Sequence, residues 1–233
     1  MQAMRHPSIS KKIPKQPLAV IAYETIVRKI ICLEYQPSQH LEENQLVEAL
    51  GIGRTPIREA LVRLHGEKMV ESHPKRGVIV RPITLQNTKA MFEGMNIIEI
   101  GLVDIAVHKE CSNFIQRMRA ANLEVQRAIT ANDVFELVEA NHEFHMNFAR
   151  CSQNEFLFRA AQDIRTEAKR LSYLSYDNII DPKKPIKDHY ESVFQEHELI
   201  IEALDKKEGD RLKELIEDHI RTFRQRIIVF MTS

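Results

Sequence analysis

Tryptophan is absent from the sequence, and cysteine and glycine are scarce, with three and seven residues among 233. Cys32, Cys111 and Cys151 lie far apart and outside any Cys-x-x-Cys spacing, so neither a disulfide framework nor a zinc ribbon is indicated. No apolar run is long enough to cross a bilayer, and the first residues lack the apolar segment of a signal peptide. We therefore expect a cytoplasmic protein with no membrane partner.

A net charge is also missing, but its absence conceals a division along the chain. The 33 lysines and arginines balance 33 acidic residues, yet the part up to Pro82 has 13 basic and 8 acidic residues, leaving 20 and 25 for the remainder. A basic N-terminal domain and an acidic C-terminal domain favour DNA binding by the first and regulation by the second. Residues 1–17 are basic and rich in proline, and we expect a flexible arm there.

The stretch from Leu46 to Leu64 predicts two short helices joined by a tight turn. Gly51 and Gly53 bracket the turn, and Thr55 is expected to cap the second helix with Pro56 in its first turn. The apolar residues of this second helix recur at i, i+3, i+4 and i+7; they are Ile57, Ala60, Leu61 and Leu64. This periodicity turns them towards a core and leaves the arginines exposed, as in a helix-turn-helix that reads base edges and phosphates.

The flanking segments complete a winged helix. An amphipathic helix precedes the pair between Ala22 and Ile31, and two strand-like segments, Val70–Ser72 and Val78–Arg81, follow it. A basic turn, His73–Gly77, joins these strands. The alternative is a helical hairpin whose arginines have no special role.

The motif "GRTPIREAL", preceded by "LEENQLVEALGI" and followed by the wing "KRGVIV", resembles the DNA-binding domain of the GntR transcription factors. The resemblance extends over about Leu18 to Pro82. It implies a set of DNA-contacting residues that comprises Arg54, Thr55, Arg58, Asn44 and the wing residues Lys75, Arg76 and Gly77. Asn44 stands where other members have an arginine, so its amide can still reach a base or phosphate but without a charge.

The remainder of the chain predicts six helices. Pro82 ends the last strand and Thr84 can cap a new helix, which places a linker at 83–88 and a helical domain at 89–233. Apolar residues recur at helical spacing in six segments: Met91–Val107, Phe114–Ile129, Val134–Phe148, Phe156–Leu174, Tyr190–Leu204 and Leu212–Val229. The longest break is the proline-rich stretch 181–185. The predicted fold is therefore mainly α, with an N-terminal winged helix-turn-helix and a C-terminal antiparallel six-helix bundle.

Three of these helices place polar residues on their apolar faces. Asn141 and His145 interrupt the stripe of one helix, and His197 and His219 interrupt those of two others. A buried imidazole or amide without a partner costs about 1–3 kcal/mol, which favours a common partner. Three histidine nitrogens suit a divalent metal such as Zn²⁺ or Ni²⁺, although separate core histidines bonded to their neighbours are the alternative. His142 and His189 lie off the stripes, and we expect them to be solvated.

The segments "NHEFHMNFARCSQN", "EHELIIEAL" and "EDHIRTF" resemble the FCD ligand-sensing domain of the FadR-like branch of GntR regulators. The resemblance covers about Gln86 to Phe230. It implies that a divalent metal, Zn or Ni, is bound by Asn141, His145, His197 and His219, with Asn141 in place of the usual aspartate. It also implies a small organic-acid effector. Met95 stands where these domains place an arginine before Glu99, so the group that binds the effector must come from Arg165, Arg170 or one of the tyrosines Tyr173 and Tyr176. Of these, Arg165 and Tyr173 are the effector-binding candidates.

These observations predict a DNA-binding transcription regulator, a repressor, that acts as a homodimer on a palindromic operator in double-stranded DNA. The organic acid is expected to bind at the metal and to shift the arrangement of the two winged helices. One alternative makes the metal ion itself the effector. Another is a metalloenzyme with a DNA-binding appendage, but the histidines have no inward acidic residue placed as a general base, so we expect no enzyme.

Overall fold

The computed structural model describes residues 16–74, 77–176 and 186–232. The N-terminal elements are α1 (Leu18–Ile31), β1 (His40–Leu41), α2 (Glu43–Leu50), α3 (Arg54–Gly66), β2 (Val70–His73) and β3 (Gly77–Val80). The C-terminal elements are α4 (Leu85–Ala106), α5 (Ser112–Ala131), α6 (Val134–Arg150), α7 (Glu155–Ser175), α8 (Ile186–Asp205) and α9 (Gly209–Thr232). Three of the expectations concern residues outside the described ranges: most of the flexible arm 1–17, the wing residues Lys75 and Arg76, and the proline-rich break 181–185.

The predicted winged helix is confirmed. Strands β2 and β3 form an antiparallel hairpin in which Val70 faces Val80 and His73 faces Gly77. The two-residue strand β1 adds to the other edge of β3, so the sheet order is β1-β3-β2. Strand β1 was not predicted because two residues cannot show the alternation of apolar and polar side chains that identifies a strand.

The helix-turn-helix differs in detail from the prediction. Gly51 ends α2 with φ +63°, a left-handed conformation that glycine adopts without strain. Helix α3 begins at Arg54, and its N-cap is Gly53, which has no side-chain oxygen to accept a bond. The expected cap at Thr55 is therefore wrong, because Thr55 already lies inside the first turn. The predicted apolar stripe is buried, with Ile57, Ala60, Leu61 and Leu64 at most 4% exposed.

The predicted six-helix bundle is also confirmed. The Thr84 side chain accepts a hydrogen bond from the backbone N–H of Asn87, so α4 begins at Leu85, inside the stretch expected to be a linker. Asp133 and Asn154 cap α6 and α7 in the same way. Helix α6 packs between α5 and α7, and α8 packs against α5 and α9. No helix in the described ranges has both the length and the apolar character needed to cross a membrane.

The winged helix and the bundle share an apolar core. One buried cluster contains the winged-helix residues Ile26, Ile30 and Leu64 together with Leu137 of α6 and Val193 of α8. A second cluster lies within the bundle and contains residues of all six helices from α4 to α9. Helix α1 contacts the bundle: it packs against α7, and its Arg28 lies over the ring of Phe135 on α6, a helix that also contributes predicted metal ligands.

A buried arginine joins the two parts as well. Arg170 of α7 is 2% exposed, and its Nη1 donates a hydrogen bond to the backbone carbonyl of Arg81, where the chain leaves β3 for α4. Burial lowers the pKa of Arg170 to about 10, although the nearby Glu167 carboxylate favours the charged form. The Arg81 Nη1 lies 3.1 Å from Glu167 Oε2. Helix α7 therefore holds the connection between wing and bundle in one place.

Candidate nucleic-acid interface and candidate metal centre

The expected DNA-contacting residues of the helix-turn-helix lie together on one exposed face. Arg54, Thr55 and Arg58 occupy the first turns of α3 and are exposed, as is Asn44 of α2. Arg58 Nε lies 2.8 Å from Glu43 Oε2, and this ion pair joins α3 to α2. Because both partners are partly in water, the pair is weak and can exchange for a phosphate.

Asn44 has a role that the sequence did not reveal. Its Oδ1 accepts a hydrogen bond of 2.8 Å from Arg54 Nη2. The amide thus orients the guanidinium of Arg54 in the absence of DNA. Of the wing residues, Gly77 is exposed at the start of β3 and has φ +72°, a left-handed conformation that glycine adopts without strain.

The three predicted histidine ligands converge in the bundle. His145 of α6, His197 of α8 and His219 of α9 are 1%, 0% and 7% exposed, and one ring nitrogen of each lies within 4.8 Å of the others. The Nε2 atoms of His145 and His219 are 3.2 Å apart. A convergence of this kind is the geometry that a shared cation requires.

Two side chains that the sequence analysis missed hold these rings. Asn122 Oδ1 of α5 lies 3.0 Å from His197 Nδ1, and Glu196 Oε2 lies 2.6 Å from His219 Nδ1. Asn122 interrupts the buried stripe of α5 as the histidines interrupt theirs, and this polar residue on an apolar face was the signal that could have found it. Outer partners of this type are typical of metal-binding histidines.

The protonation state of the cluster suits metal binding. Burial, followed by the charge of Arg165, lowers the pKa of His145 well below its usual range. Burial also lowers the pKa of His197, with the charge of His219 as the next cause. Burial raises the pKa of the Glu196 carboxyl, but the hydrogen bond and charge of His219 outweigh it and the net shift is downward. The histidines of α6 and α8 are therefore neutral, with a carboxylate behind His219.

The residues present fit a divalent cation that prefers nitrogen ligands. Within the described residues, Asn141 Oδ1 and His197 Nε2 are buried without a hydrogen-bond partner, as a metal ligand would be in the absence of its ion. Three imidazoles and an amide oxygen suit Zn²⁺ or Ni²⁺, whereas Mg²⁺ and Ca²⁺ prefer carboxylates. Asn141, His145, His197 and His219 are the residues that would hold it.

A small cavity of about 20 Å³ adjoins the histidines. Its lining includes Asn141, Arg165, Ser175, Tyr176, His189 and His219. Of the two effector candidates, Arg165 lies in this lining, whereas Tyr173 packs beside the apolar core shared with the winged helix. Tyr176, the other tyrosine considered, lines the cavity together with Arg165.

Arg165 is bound by a carboxylate from the neighbouring helix. Its Nε and Nη2 both donate to Glu99 of α4, with 2.6 Å between Nη2 and Oε2, and both side chains are at most 5% exposed. Met95, one turn before Glu99, stands where related domains have an arginine. The guanidinium beside Glu99 thus comes from α7 instead of α4.

The expectation that His142 and His189 are solvated is met only in part, because both side chains are half-buried. His189 lines the cavity, its Nε2 lies 3.3 Å from Ser175 Oγ, and burial together with the charge of Arg226 lowers its pKa to about 3. Burial also lowers the pKa of His142, whose Nδ1 is enclosed. The apolar stripes missed both because neighbouring helices, α7 and α9 among them, cover helix faces that a single helix leaves open.

Comparison with known proteins agrees with this architecture. The profile described as "Bacterial regulatory proteins, gntR family" matches residues 18–80, and the profile "FCD domain" matches residues 90–222. The chain belongs to the GntR family. This GntR regulator combines a DNA-binding domain with an FCD domain, as the sequence motifs indicated. It is a DNA-binding transcription regulator and not an enzyme, since the family and its relatives are transcriptional regulators.

Similar proteins and structures extend over most of the GntR regulator. The "HTH-type transcriptional repressor RspR" of Escherichia coli K12 is 21% identical over 218 residues, covering 92% of this chain and 90% of that protein. The "Nta operon transcriptional regulator" of Aminobacter aminovorans is 25% identical over 150 residues, and the alignment covers 64% of this chain and 70% of that protein.

Two solved structures share the fold at low identity. A putative GntR regulator from Rhodococcus sp. RHA1 has a TM-score of 0.70 at 17% identity and covers 90% of this chain and 97% of its own. E. coli McbR/YncC has a TM-score of 0.72 at 18% identity, and the superposition covers 93% of this chain and 99% of that one. At this level of identity the likeness establishes the fold alone.

Proposed function

We propose that this GntR regulator is a repressor whose FCD domain binds a divalent metal, Zn²⁺ or Ni²⁺, and a small organic acid. The observation that carries the proposal is the buried histidine cluster, in which one ring nitrogen of each of three histidines lies within 4.8 Å of the others. Among the described residues, the buried atoms Asn141 Oδ1 and His197 Nε2 have no hydrogen-bond partner. The name of the E. coli relative, a transcriptional repressor, supports the sign of the regulation.

DNA binding is assigned to the exposed face of the winged helix. Arg54, Thr55 and Arg58 contact the operator, Asn44 orients Arg54, and the wing at Lys75, Arg76 and Gly77 enters the minor groove. A single winged helix buries too little surface for tight specific binding, so the regulator acts as a homodimer on a palindromic operator. Light scattering tests this, with about twice the chain mass of 27.1 kDa expected.

The organic acid binds beside the metal site. When bound, the metal supplies positive charge that attracts a carboxylate. The protein adds Arg165, whose guanidinium is held by Glu99, and the hydroxyl groups of Ser175 and Tyr176 in the same cavity wall. A carboxylate that reaches Arg165 competes with Glu99 for it. The competition connects effector binding to the contact between α4 and α7.

A second candidate function has the ion itself as effector, and the size of the cavity favours it. A volume of about 20 Å³ accommodates a water molecule, which needs about 10–15 Å³, but not an organic acid. An acid therefore requires α7 or α8 to move, whereas a metal ion fits without any movement.

Operator binding by metal-free protein distinguishes the two functions. Electrophoretic shifts are measured on the promoter of the adjacent genes with no addition, with Zn²⁺ alone, and with Zn²⁺ plus a panel of hydroxy acids and sugar acids. An organic-acid regulator changes its affinity about tenfold only in the third condition, and a metal sensor changes it in the second. The variant with His197→Ala and His219→Ala should bind the operator normally and respond to neither. A normal response in this variant would exclude the histidine cluster as the sensing site.

A further inference from the structure

Asn122 is a fully buried amide on α5 that belongs to neither proposed binding surface. Its nitrogen lies 3.3 Å from the Phe194 carbonyl oxygen and 2.6 Å from Glu198 Oε1, and its oxygen lies 3.0 Å from His197 Nδ1. All three partners are on α8 and lie within one turn of it. A single side chain therefore engages the turn of α8 that carries a predicted metal ligand.

The chemistry of these partners determines the orientation of the amide. A backbone carbonyl and a carboxylate only accept hydrogen bonds, so the group that faces Phe194 and Glu198 is the NH₂ of Asn122. The amide oxygen then faces His197. Because this oxygen also only accepts, Nδ1 of His197 carries the hydrogen, and the lone pair of the neutral ring is on Nε2.

Because Nδ1 of His197 faces Asn122, the nitrogen with the lone pair is the one left for the histidine cluster. His197 Nε2 is buried and has no hydrogen-bond partner among the described residues. The ring stacks on Phe144, with centroids 3.7 Å apart and planes 7° from parallel. Phe144 thus restrains the plane of the ring while Asn122 determines which nitrogen points to the cluster. A bare lone pair in an enclosed site is costly unless a cation occupies it.

We infer that Asn122 is a positioning residue for metal binding: it keeps the hydrogen of His197 on Nδ1 and presents the Nε2 lone pair to a divalent cation shared with His145 and His219. The inference rests on the proposed function of the histidine cluster. Glu196 acts in the same way on His219, since its carboxylate accepts from Nδ1 at 2.6 Å. His145 Nδ1 has no partner among the described residues, so two of the three rings are preset before a metal arrives.

Two substitutions of Asn122 separate positioning from packing. Asn122→Leu has a similar size but removes the acceptor for His197. Asn122→Asp keeps that acceptor but turns its second oxygen towards the Phe194 carbonyl and Glu198, where two acceptors repel it. We expect Asn122→Leu to weaken Zn²⁺ binding about 10- to 100-fold and Asn122→Asp to retain the wild-type affinity within about threefold. Asn122→Asp should nevertheless melt at a lower temperature than Asn122→Leu. If Asn122 had only a structural role, the variant with the lower melting temperature would also be the one with the weaker Zn²⁺ affinity.

Zn²⁺ affinity is measured on the full chain, stripped of metal, by competition with a chromophoric chelator. Asn147→Leu is the matched control, because Asn147 is a buried amide whose side-chain hydrogen bonds join it to Glu143 and Arg150, near its own helix end and outside the histidine cluster. This control should bind Zn²⁺ as the wild type does. If Asn122→Asp alone does not fold, Glu198→Gln is added, since a glutamine amide can donate to the new carboxylate.

Long-range ¹H–¹⁵N correlation spectra of the metal-free wild type report the tautomer directly. We expect His197 to be protonated on Nδ1, and a signal from the Nε2-protonated form would overturn the inference. Equal Zn²⁺ affinity in the wild type and Asn122→Leu would also overturn it while leaving the metal site intact. A wild type that takes up no Zn²⁺ would instead overturn the metal site itself.

Discussion

The proposed DNA-binding surface and the histidine cluster are both polar, but their side chains lie in opposite environments. Arg54 and Arg58 are exposed and paired with Asn44 and Glu43 across two helices. Exposed pairs are worth at most about 1 kcal/mol, so these arginines can exchange their partners for DNA at little cost. The buried cluster instead contains polar atoms whose lack of a partner costs about 1–3 kcal/mol each. The first surface is complete without its ligand, and the second is not.

The largest expected effect is a loss of stability, caused by removing the aromatic ring that packs against the histidine cluster. Phe144 is fully buried against His197 and lies edge-on to His145. Phe144→Ala should lower the free energy of unfolding by about 3–5 kcal/mol, because it removes a large buried ring and leaves a cavity. Urea denaturation of the metal-free protein measures this. The control Phe156→Ala, at a ring that is 83% exposed, should change it by less than about 0.5 kcal/mol. Similar losses of unfolding free energy in Phe144→Ala and Phe156→Ala would contradict this prediction.

The next effect should appear in binding without appearing in stability. Arg58→Ala should weaken operator binding by about 1–3 kcal/mol, because a charged contact to phosphate or guanine is lost. Its urea midpoint should stay at the wild-type value, since the Glu43 ion pair is exposed. Electrophoretic shifts across a salt series give both the affinity and the number of phosphate contacts. Arg159→Ala, which removes an equally exposed arginine from α7, is the control and should leave the operator affinity unchanged.

A smaller effect concerns the charge of the metal site. Asn141→Asp places a carboxylate beside the three histidines and should tighten Zn²⁺ binding about tenfold, or 1.4 kcal/mol, because the ion gains a negative ligand. Asn141→Leu should act in the opposite direction. Isothermal titration of both variants against the wild type measures the difference. Equal affinities in all three proteins would show that position 141 does not touch the ion.

The smallest effect is on acid stability and comes from His189. Its pKa is lowered to about 3 in the folded protein, against about 6.5 in an unfolded chain. Between these values the unfolded state binds a proton that the folded state does not. The contribution of the neutral His189 to the free energy of unfolding is therefore fully present above pH 6.5 and decreases as the pH falls towards 3. Replacement by asparagine should make the dependence shallower, by less than the 1.4 kcal/mol per pH unit of a fully buried group. Urea midpoints between pH 7 and 4 decide this, and parallel curves would contradict it.

The parts of the fold that were predictable depend on local pattern. Helical periodicity identified the buried face of α3, and the Thr84 cap marked the start of α4. The same periodicity indicated Asn141, His145, His197 and His219, because a polar residue on an apolar face is visible in one helix at a time.

The parts that were missed depend on contacts between helices. Asn122 and Glu196 become informative only when α5, α8 and α9 are packed together. The pairing of Arg165 with Glu99 joins residues 66 positions apart, and no spacing rule predicts it. The helix start at Arg54 was missed for a different reason, since Gly53 caps α3 without a side-chain oxygen and resembles an ordinary turn.

The apolar core shared by the winged helix and the bundle has a consequence for how the chain unfolds. Leu137 of α6 lies in the same buried cluster as Ile26 and Leu64, and α1 packs against α7, so the winged helix cannot separate without exposing apolar surface of the bundle. Calorimetry should therefore record one cooperative melting transition for the two domains. Metal bound to the bundle would then raise the melting temperature of the winged helix as well, because mass action stabilises the whole cooperative unit.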